Sequence, residues 1–158
     1  MVLNISVIGG SEIPPETCAI AREVGRLLAK GGATVFCGGL SGVMECVAIG
    51  VREENGLVIG ILPGMDPDAG NKYLSAAIPT GLGYARNFLV ARAGKVVIAI
   101  DGSTGTLSEA SFALTEGKTV ISIGSYEITP NKKGEGRFIK ARTPQEAVEL
   151  AFQIARER

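Results

Sequence analysis

Histidine is absent from all 158 residues of the chain. This absence excludes Ser-His-Asp triads, histidine-ligated metal sites and imidazole acid-base catalysis. Carboxylates and the side chains of Arg, Lys, Ser, Thr and Tyr are left as the groups that could perform chemistry. We therefore expect no metal site and no required cofactor.

An excess of charge of either sign is also missing, because 16 Lys and Arg residues balance 16 Asp and Glu residues. A chain without a basic stripe lacks the counterion release that drives binding to nucleic acid. No apolar run approaches the roughly 20 residues of a membrane span, and the start "MVLNISVIGG" has no basic region or cleavage site of a signal peptide. We expect no nucleic-acid partner, no membrane partner and a cytoplasmic location.

Cysteine is scarce, with Cys18, Cys37 and Cys46 as the whole set. Their number is odd, their neighbours are apolar, and no two of them form a C-x-x-C pair. A chain of this length can bury about 70% of its unfolded surface without disulfides. We therefore predict that all three are small packing residues of a protein in a reducing compartment.

Short apolar runs alternate with helix-length amphipathic segments along the whole chain. Strands that are apolar on both faces and alternate with helices indicate a parallel sheet covered on both sides. The sequence thus predicts one doubly wound, Rossmann-like α/β domain over residues 1–158, with no linker. The predicted strands are 3–9, 33–39, 57–63, 76–81, 95–101, 118–124 and an edge strand 137–141, and the predicted helices are 14–32, 41–56, 84–94, 106–117 and 143–158.

Glycine is concentrated in four turns that each lead from a strand to a helix, at 9–11, 38–42, 80–83 and 102–106. With strand order 3-2-1-4-5-6, the first and fourth strands would flank the switch point and the four turns would share one crevice. Glycine lets backbone N–H groups approach an anion, and a helix N-terminus favours negative charge. The candidate ligand-binding residues are Gly9, Gly10, Ser11, Gly38, Gly39, Gly42, Asn87, Gly102, Ser103, Thr104, Gly105 and Thr106.

Phosphate is the anion that such turns would suit best. The alternative is that these turns are merely tight, since strand-to-helix turns are often rich in glycine. The fingerprint G-x-G-x-x-G is missing after the first strand, and so is the P-loop pattern G-x-x-x-x-G-K-[ST]. These absences argue against ordinary NAD binding and against P-loop hydrolysis.

Two charged residues lie beside the glycine turns. Glu109 is predicted in the first helical turn, where Thr106-Leu107-Ser108-Glu109 fits a capping box and gives it a structural role. Beside a bound phosphate, Glu109 would instead face sugar hydroxyls or a reacting centre. Arg86 lies in the first turn of the preceding predicted helix, where the helix dipole disfavours a cation. It is either directed at an anion at the switch point or exposed to solvent.

The segment "DGSTGTLSE" resembles the P-G-G-x-G-T-x-x-E signature of the Lonely Guy (LOG) proteins, which are cytokinin riboside monophosphate phosphoribohydrolases once mislabelled lysine decarboxylases. The segments "VIGGS", "FCGGLSGVM" and "GLGYARN" are similar to the branch that includes the molybdenum cofactor carrier proteins. Together the resemblance covers about residues 3 to 124. It implies that Arg86 and Glu109 match the catalytic arginine and glutamate of the hydrolases, and that residues 102–106 match their phosphate-binding turn.

The chain departs from the hydrolase pattern at three residues, and the Met-His that precedes the Arg-Lys pair of the hydrolases is also missing. Asp101 replaces proline, Ser103 replaces the second glycine, and Asn87 replaces the lysine of an Arg-Lys pair. Binding tolerates such changes more easily than catalysis does. The resemblance therefore implies a binding or carrier protein for a phosphorylated nucleotide-like or pterin-like ligand, such as a nucleoside monophosphate or the molybdenum cofactor.

Two alternatives stay open at this point. The first is a nucleoside 5'-monophosphate phosphoribohydrolase in which Arg86 and Glu109 are catalytic, whereas a lysine decarboxylase is poorly supported because no Schiff-base lysine motif is recognisable. The second is an interaction module whose glycine turns bind nothing. The resemblance also implies a homo-oligomer, either a dimer or a tetramer.

Overall fold

A computed structural model describes residues 3–157 and contains one parallel sheet of seven strands. Four of the five α-helices and two short 3₁₀ helices, Pro67–Ala69 and Gly83–Ala85, lie between strands, and the fifth α-helix follows the last strand. The strands are β1 (Leu3–Gly9), β2 (Ala33–Cys37), β3 (Leu57–Leu62), β4 (Ala76–Pro79), β5 (Val96–Ile100), β6 (Thr119–Ile123) and β7 (Phe138–Lys140). The helices are α1 (Pro15–Lys30), α2 (Val43–Glu53), α3 (Arg86–Ala93), α4 (Thr104–Thr115) and α5 (Pro144–Arg156).

Two apolar cores lie on the opposite faces of this sheet. The helices α1, α2 and α5 pack on one face, and α3 and α4 pack on the other. Every residue of β5 and of β6 is buried, as the unbroken apolar sequence of β5 and the largely apolar sequence of β6 predict. The doubly wound α/β fold predicted from the sequence is confirmed.

The strand order is β4-β3-β2-β1-β5-β6-β7, so the predicted neighbour of β1 is wrong. The central pair is β1 and β5, in which Gly9 lies opposite Ile100. The sequence "AAIP" of β4 is short, mostly exposed and ends in Pro79, which suits an edge strand. The five buried apolar residues of β5 need a neighbour on both sides. The switch point therefore lies between β1 and β5, whose following helices pack on opposite faces.

The prediction that all three cysteines are packing residues is wrong for two of them. Cys18 in α1 and Cys46 in α2 form a disulfide with their Cα atoms 5.4 Å apart, while Cys37 is free and buried. The two helices pack backbone to backbone, because a Cβ at Gly50 would lie 1.9 Å from the carbonyl oxygen of Arg22. That approach brings together cysteines 28 residues apart in sequence. Because two of the three cysteines form a disulfide, the cysteines no longer support the prediction of a reducing compartment.

Among residues 3–157, no helix has both the length and the apolar character that crossing a membrane requires.

Candidate functional site

The turns after β1 and β2 form a single unit at the carboxyl edge of the sheet, where the strands end. The amide of Val43 donates to the carbonyl of Gly10 at 3.0 Å, and the Oγ of Ser41 donates to the carbonyl of Ser11 at 3.1 Å. Gly42 has a φ of +70°, and a Cβ there would lie 2.3 Å from the Gly10 oxygen. Only glycine fits this position, because both its conformation and the close approach exclude a side chain.

The turn after β5 explains one departure from the LOG signature. Asp101 has a left-handed φ of +57°, and its amide donates to the carbonyl of Ile123 at 2.9 Å. Its carboxylate accepts a hydrogen bond of 2.8 Å from the amide of Gly102. Proline could adopt neither this φ nor this hydrogen bond, since its φ is fixed near −65° and it has no N–H. In this chain Asp101 therefore holds the turn in place of the proline.

Helix α4 begins at Thr104, two residues earlier than predicted. Ser103 is extended and its carbonyl already accepts the amide of Leu107, so Ser103 is the N-cap residue. Thr106 is then inside the helix, with its hydroxyl 3.3 Å from that of Ser103. The predicted capping box between Thr106 and Glu109 is wrong, and Glu109 lies in the second turn of α4.

Backbone N–H groups at the first turn of α4 are available to a ligand. The first four N–H groups of any helix lack partners within it, and no side chain in the described part of the chain caps α4. The N-termini of α2 and α3 are equally without a side-chain cap. In contrast, Thr143 caps α5 by accepting the amide of Glu146 at 3.1 Å.

Arg86 follows the edge strand β4 in sequence, but it lies near the switch point. The reason is that α3 packs against the centre of the sheet, where its residues Val90 and Ala91 share a core with Ile8 of β1. Helix α3 begins at Arg86, two residues later than the predicted start at residue 84, so Arg86 lies in the first turn as predicted. Only 8% of Arg86 is exposed, so the solvent-facing alternative does not hold. Its Nη1 donates to the Oδ1 of Asn87 at 2.8 Å, and a Cβ at Gly38 would lie 2.4 Å from the same Nη1. Its Nε is buried and has no hydrogen-bond partner among residues 3–157.

Glu109 is the second buried ionisable group of this site, with 6% of the residue exposed. Burial raises its pKa to about 8, although the charge of Arg86 opposes that shift. Burial likewise lowers the pKa of Arg86, and the charge of Glu109 opposes it. The thiol of Cys37 lies in the same electrostatic environment, and its own burial raises its pKa to about 11. Near neutral pH, Arg86 is thus a buried cation beside a glutamate that is largely protonated.

The turns at positions 38 and 105 approach each other through the start of α3. A Cβ at Gly105 would lie 3.9 Å from the Nδ2 of Asn87, an ordinary contact distance. Asn87 therefore connects Arg86 to the first turn of α4. Of the residues predicted from the sequence, the structure thus brings Gly38, Arg86, Asn87 and Gly105 close to one another. Gly39 instead faces the loop after β3, where its carbonyl accepts a hydrogen bond from the amide of Asn71.

The third predicted turn, at residues 80–83, does not share the crevice. Thr80 follows the edge strand β4, and its hydroxyl donates to the carbonyl of Leu62 at 2.7 Å. Of this turn, only its last residue, Gly83, lies in the same cavity lining as Arg86.

A cavity of about 290 Å³ adjoins Arg86 and Asn87, and sequence reasoning did not identify it. Its other lining residues are Leu40, Pro63, Gly83 and Tyr84. They come from the ends of β2 and β3 and from the segment before α3, so their proximity depends on the tertiary fold. The available signal was Tyr84, an aromatic residue two positions before Arg86.

A larger cavity of about 520 Å³ opens at the opposite edge of the sheet, where β5 and β6 begin. Its charged side chains largely satisfy one another, as in the 2.7 Å ion pair between Arg92 and Glu116. The Nζ of Lys118 donates there to the carbonyls of Ala91 and Gly94 at 3.2 and 2.6 Å. None of the residues predicted to bind a ligand lines this cavity.

Comparisons with known proteins agree with the resemblance read from the motifs. The SLOG cluster4 family matches residues 2–148. An uncharacterized protein of Archaeoglobus fulgidus is 40% identical over 147 residues, which is 93% of each chain. The molybdenum cofactor binding protein of the phototrophic bacterium Rippkaea orientalis is 31% identical, with a TM-score of 0.88 over 98% of each chain. The molybdenum cofactor carrier protein of Chlamydomonas reinhardtii is 27% identical, with a TM-score of 0.84 over 98% of each chain. The chain belongs to the SLOG cluster4 family.

Proposed function

We propose that this protein binds and carries a phosphorylated nucleotide-like or pterin-like ligand at the carboxyl edge of the sheet, between β1 and β5. The observation that carries the proposal is the buried guanidinium of Arg86, whose Nε has no partner among the described residues. A buried charged donor without a partner costs free energy of the order of a lost charged hydrogen bond. A phosphate oxygen would supply both the missing acceptor and the missing negative charge.

The helix N-termini supply the neutral half of the proposed anion site. The first turn of α4 presents unpaired N–H groups, and Gly105 leaves the approach to them open because it has no side chain. Asn87 lies between that turn and Arg86 and adds an amide group. One phosphate could therefore be held by backbone donors on one side and by a guanidinium on the other.

The choice of ligand class draws on the relatives. Two solved structures that cover 98% of this chain are named as binding or carrying the molybdenum cofactor. The chain also departs at Asn87 and Ser103 from the hydrolase signature. Both facts favour a carrier over a hydrolase. Among the possible ligands, we propose first a pterin-like compound of the molybdenum cofactor type.

One observation favours hydrolysis of a nucleoside monophosphate as a second candidate. With a pKa of about 8, Glu109 holds a proton near neutral pH, which is what a general acid for a departing base requires. In this reaction the hydroxyl of a water replaces the base at C1' of the ribose, and Glu109 protonates the leaving base. The remaining proton of that water returns to Glu109, while Arg86 holds the phosphate. A carrier would bind the same compounds and release no base.

Thermal unfolding with a panel of ligands tests both candidates. The panel is AMP, GMP, inorganic phosphate and molybdenum cofactor released from a denatured molybdoenzyme. At a hundredfold excess over Kd, a bound ligand stabilises the native state by about 2.7 kcal/mol and raises Tm by roughly 5 to 10 °C. A panel in which every shift is below about 1 °C at that excess argues against the site. Chromatography of the AMP and GMP samples then separates a carrier, which leaves them intact, from a hydrolase, which releases adenine or guanine.

A further inference from the structure

The cavity beside Arg86 extends away from the phosphate turn. Arg86 and Asn87 belong to both features, because Asn87 lies next to Gly105 and both residues line the cavity. A ligand with its phosphate at the first turn of α4 therefore has an adjoining space for its remaining part. Arg86, whose Nε has no partner among the described residues, is thus shared by the proposed phosphate site and the cavity.

The lining of the cavity is suited to a flat, largely apolar group. Leu40 and Pro63 supply aliphatic surface, and Asn87 supplies polar groups that can meet a ring edge. A volume of about 290 Å³ lies at the lower end of small-molecule pockets, which span about 300 to 1,000 Å³. The cavity thus suits a fused heterocycle better than a whole nucleotide.

Tyr84 lines this cavity and is 93% exposed, although tyrosine is a largely apolar side chain. It lies in the 3₁₀ helix Gly83–Ala85, which follows Gly81 and begins with Gly83, both with positive φ values of 68° and 59°. A Cβ at Gly83 would meet no atom within 4 Å. Tyr84 thus lies on a short turn with its side chain open to solvent, so that a ligand in the cavity could cover its ring.

We infer that the cavity receives the planar heterocycle of the ligand and that Tyr84 stacks on that ring. This inference rests on the proposed function, since it locates the second half of the same ligand. It assigns affinity to two parts of the molecule: Arg86 and the α4 turn bind the phosphate, and Tyr84 binds the ring. Tyr84 would then decide which phosphorylated compounds the protein prefers.

The test compares ligands with and without a ring. Isothermal calorimetry gives the Kd of GMP, 6-hydroxymethylpterin phosphate and ribose 5-phosphate for the wild type, Tyr84→Ala and Tyr84→Phe. Stacking of a base on an aromatic side chain typically contributes about 1 to 3 kcal/mol to the binding free energy, which alanine substitution removes. Tyr84→Ala should therefore weaken binding of at least one ring ligand about 5- to 150-fold. Its Kd for ribose 5-phosphate should stay within about twofold, and Tyr84→Phe should restore ring binding.

Tyr126→Ala is the matched control. Tyr126 is 47% exposed beside Gly102 but does not line the cavity, so its removal should not change the preference for ring ligands over ribose 5-phosphate. A preference that Tyr84→Ala leaves unchanged, or that Tyr126→Ala abolishes instead, would overturn the assignment while phosphate binding stands. A wild type that binds none of the three compounds would defeat the proposed function together with this inference.

Discussion

The guanidinium of Arg86 lies directly against Gly38, so that a Cβ at position 38 would stand 2.4 Å from Nη1. The same Cβ would lie 2.5 Å from the sulfur of Met44. Both atoms are at the ends of flexible side chains and can move without unfolding the protein. We predict that Gly38→Ala displaces Arg86 and weakens GMP binding at least tenfold, which corresponds to about 1.4 kcal/mol.

Gly64→Ala is the control for that substitution. Gly64 follows β3, and a Cβ there would meet nothing within 4 Å. Calorimetry should give it the wild-type Kd. Unchanged affinity in Gly38→Ala would show that the position of Arg86 does not govern binding.

Gly105→Asp tests whether an anion binds at the first turn of α4. Space for a Cβ exists, because the nearest atoms would be 3.8 and 3.9 Å away, and a carboxylate near a helix N-terminus favours the fold. The same carboxylate repels a phosphate, and like charges brought together cost several kcal/mol. We expect GMP and inorganic phosphate to lose at least about 100-fold in affinity while Tm stays near that of the wild type.

Gly105→Asn is the neutral counterpart, with nearly the shape of aspartate and no charge. It should reduce affinity much less than Gly105→Asp does. Equal losses in the two variants would mean that bulk, and not charge, decides binding at this turn.

The buried carboxyl group of Glu109 predicts a pH dependence of stability. Its pKa is raised from an ordinary 4.5 to about 8, so between these values the native protein holds a proton that the unfolded chain releases. The free energy of unfolding must therefore fall as pH rises from about 5 to 8 and lose this dependence above that range. Urea denaturation at several pH values measures it.

Glu109→Gln isolates this contribution, since glutamine has a similar size and does not titrate. In the variant, the free energy of unfolding should fall much less between pH 5 and 8 than it does in the wild type. An identical pH profile in the two proteins would mean that Glu109 is ionised and well solvated in the native state.

The same variant separates the two candidate functions, because a catalytic Glu109 predicts base release by the wild type that falls about 10²-fold or more in the variant.

The disulfide between Cys18 and Cys46 should stabilise the fold by restricting the unfolded chain. For a separation of 28 residues, the loop-entropy relation gives about 3 to 4 kcal/mol, or roughly 10 °C in Tm. Cys18→Ser should lower Tm by about that amount. Dithiothreitol should lower the wild type to the same Tm and leave Cys18→Ser unchanged, whereas a wild type insensitive to the reductant would contradict the bond's role.

Most of the fold could be predicted from the sequence because burial on both faces determines the strands. Runs such as residues 96–100 have no polar position, so they can only be central strands. The order of the strands was less accessible, since β4 carries little information beyond its length and Pro79. The disulfide was inaccessible, because Cys18 and Cys46 meet only through the packing of α1 on α2.

The candidate site was predictable in part for a related reason. Glycines at turns mark where a backbone approaches something, and Arg86 at a helix N-terminus marks an unusual charge. The start of α4 was misplaced because Thr106 and Glu109 match a capping box, while the extended Ser103 is the actual N-cap. The cavity at Tyr84 was missed because Leu40 and Pro63, which close it against residues 83–87, are distant in sequence.

Native mass spectrometry tests the central claim most directly. Wild type and Gly105→Asp are incubated separately with equimolar amounts of GMP and of released molybdenum cofactor, and the mass of each native species is measured. The account predicts one added ligand per chain in the wild type for at least one of these compounds, and none in Gly105→Asp. Equal occupancy in the two proteins, or no added mass in the wild type with either compound, would contradict it.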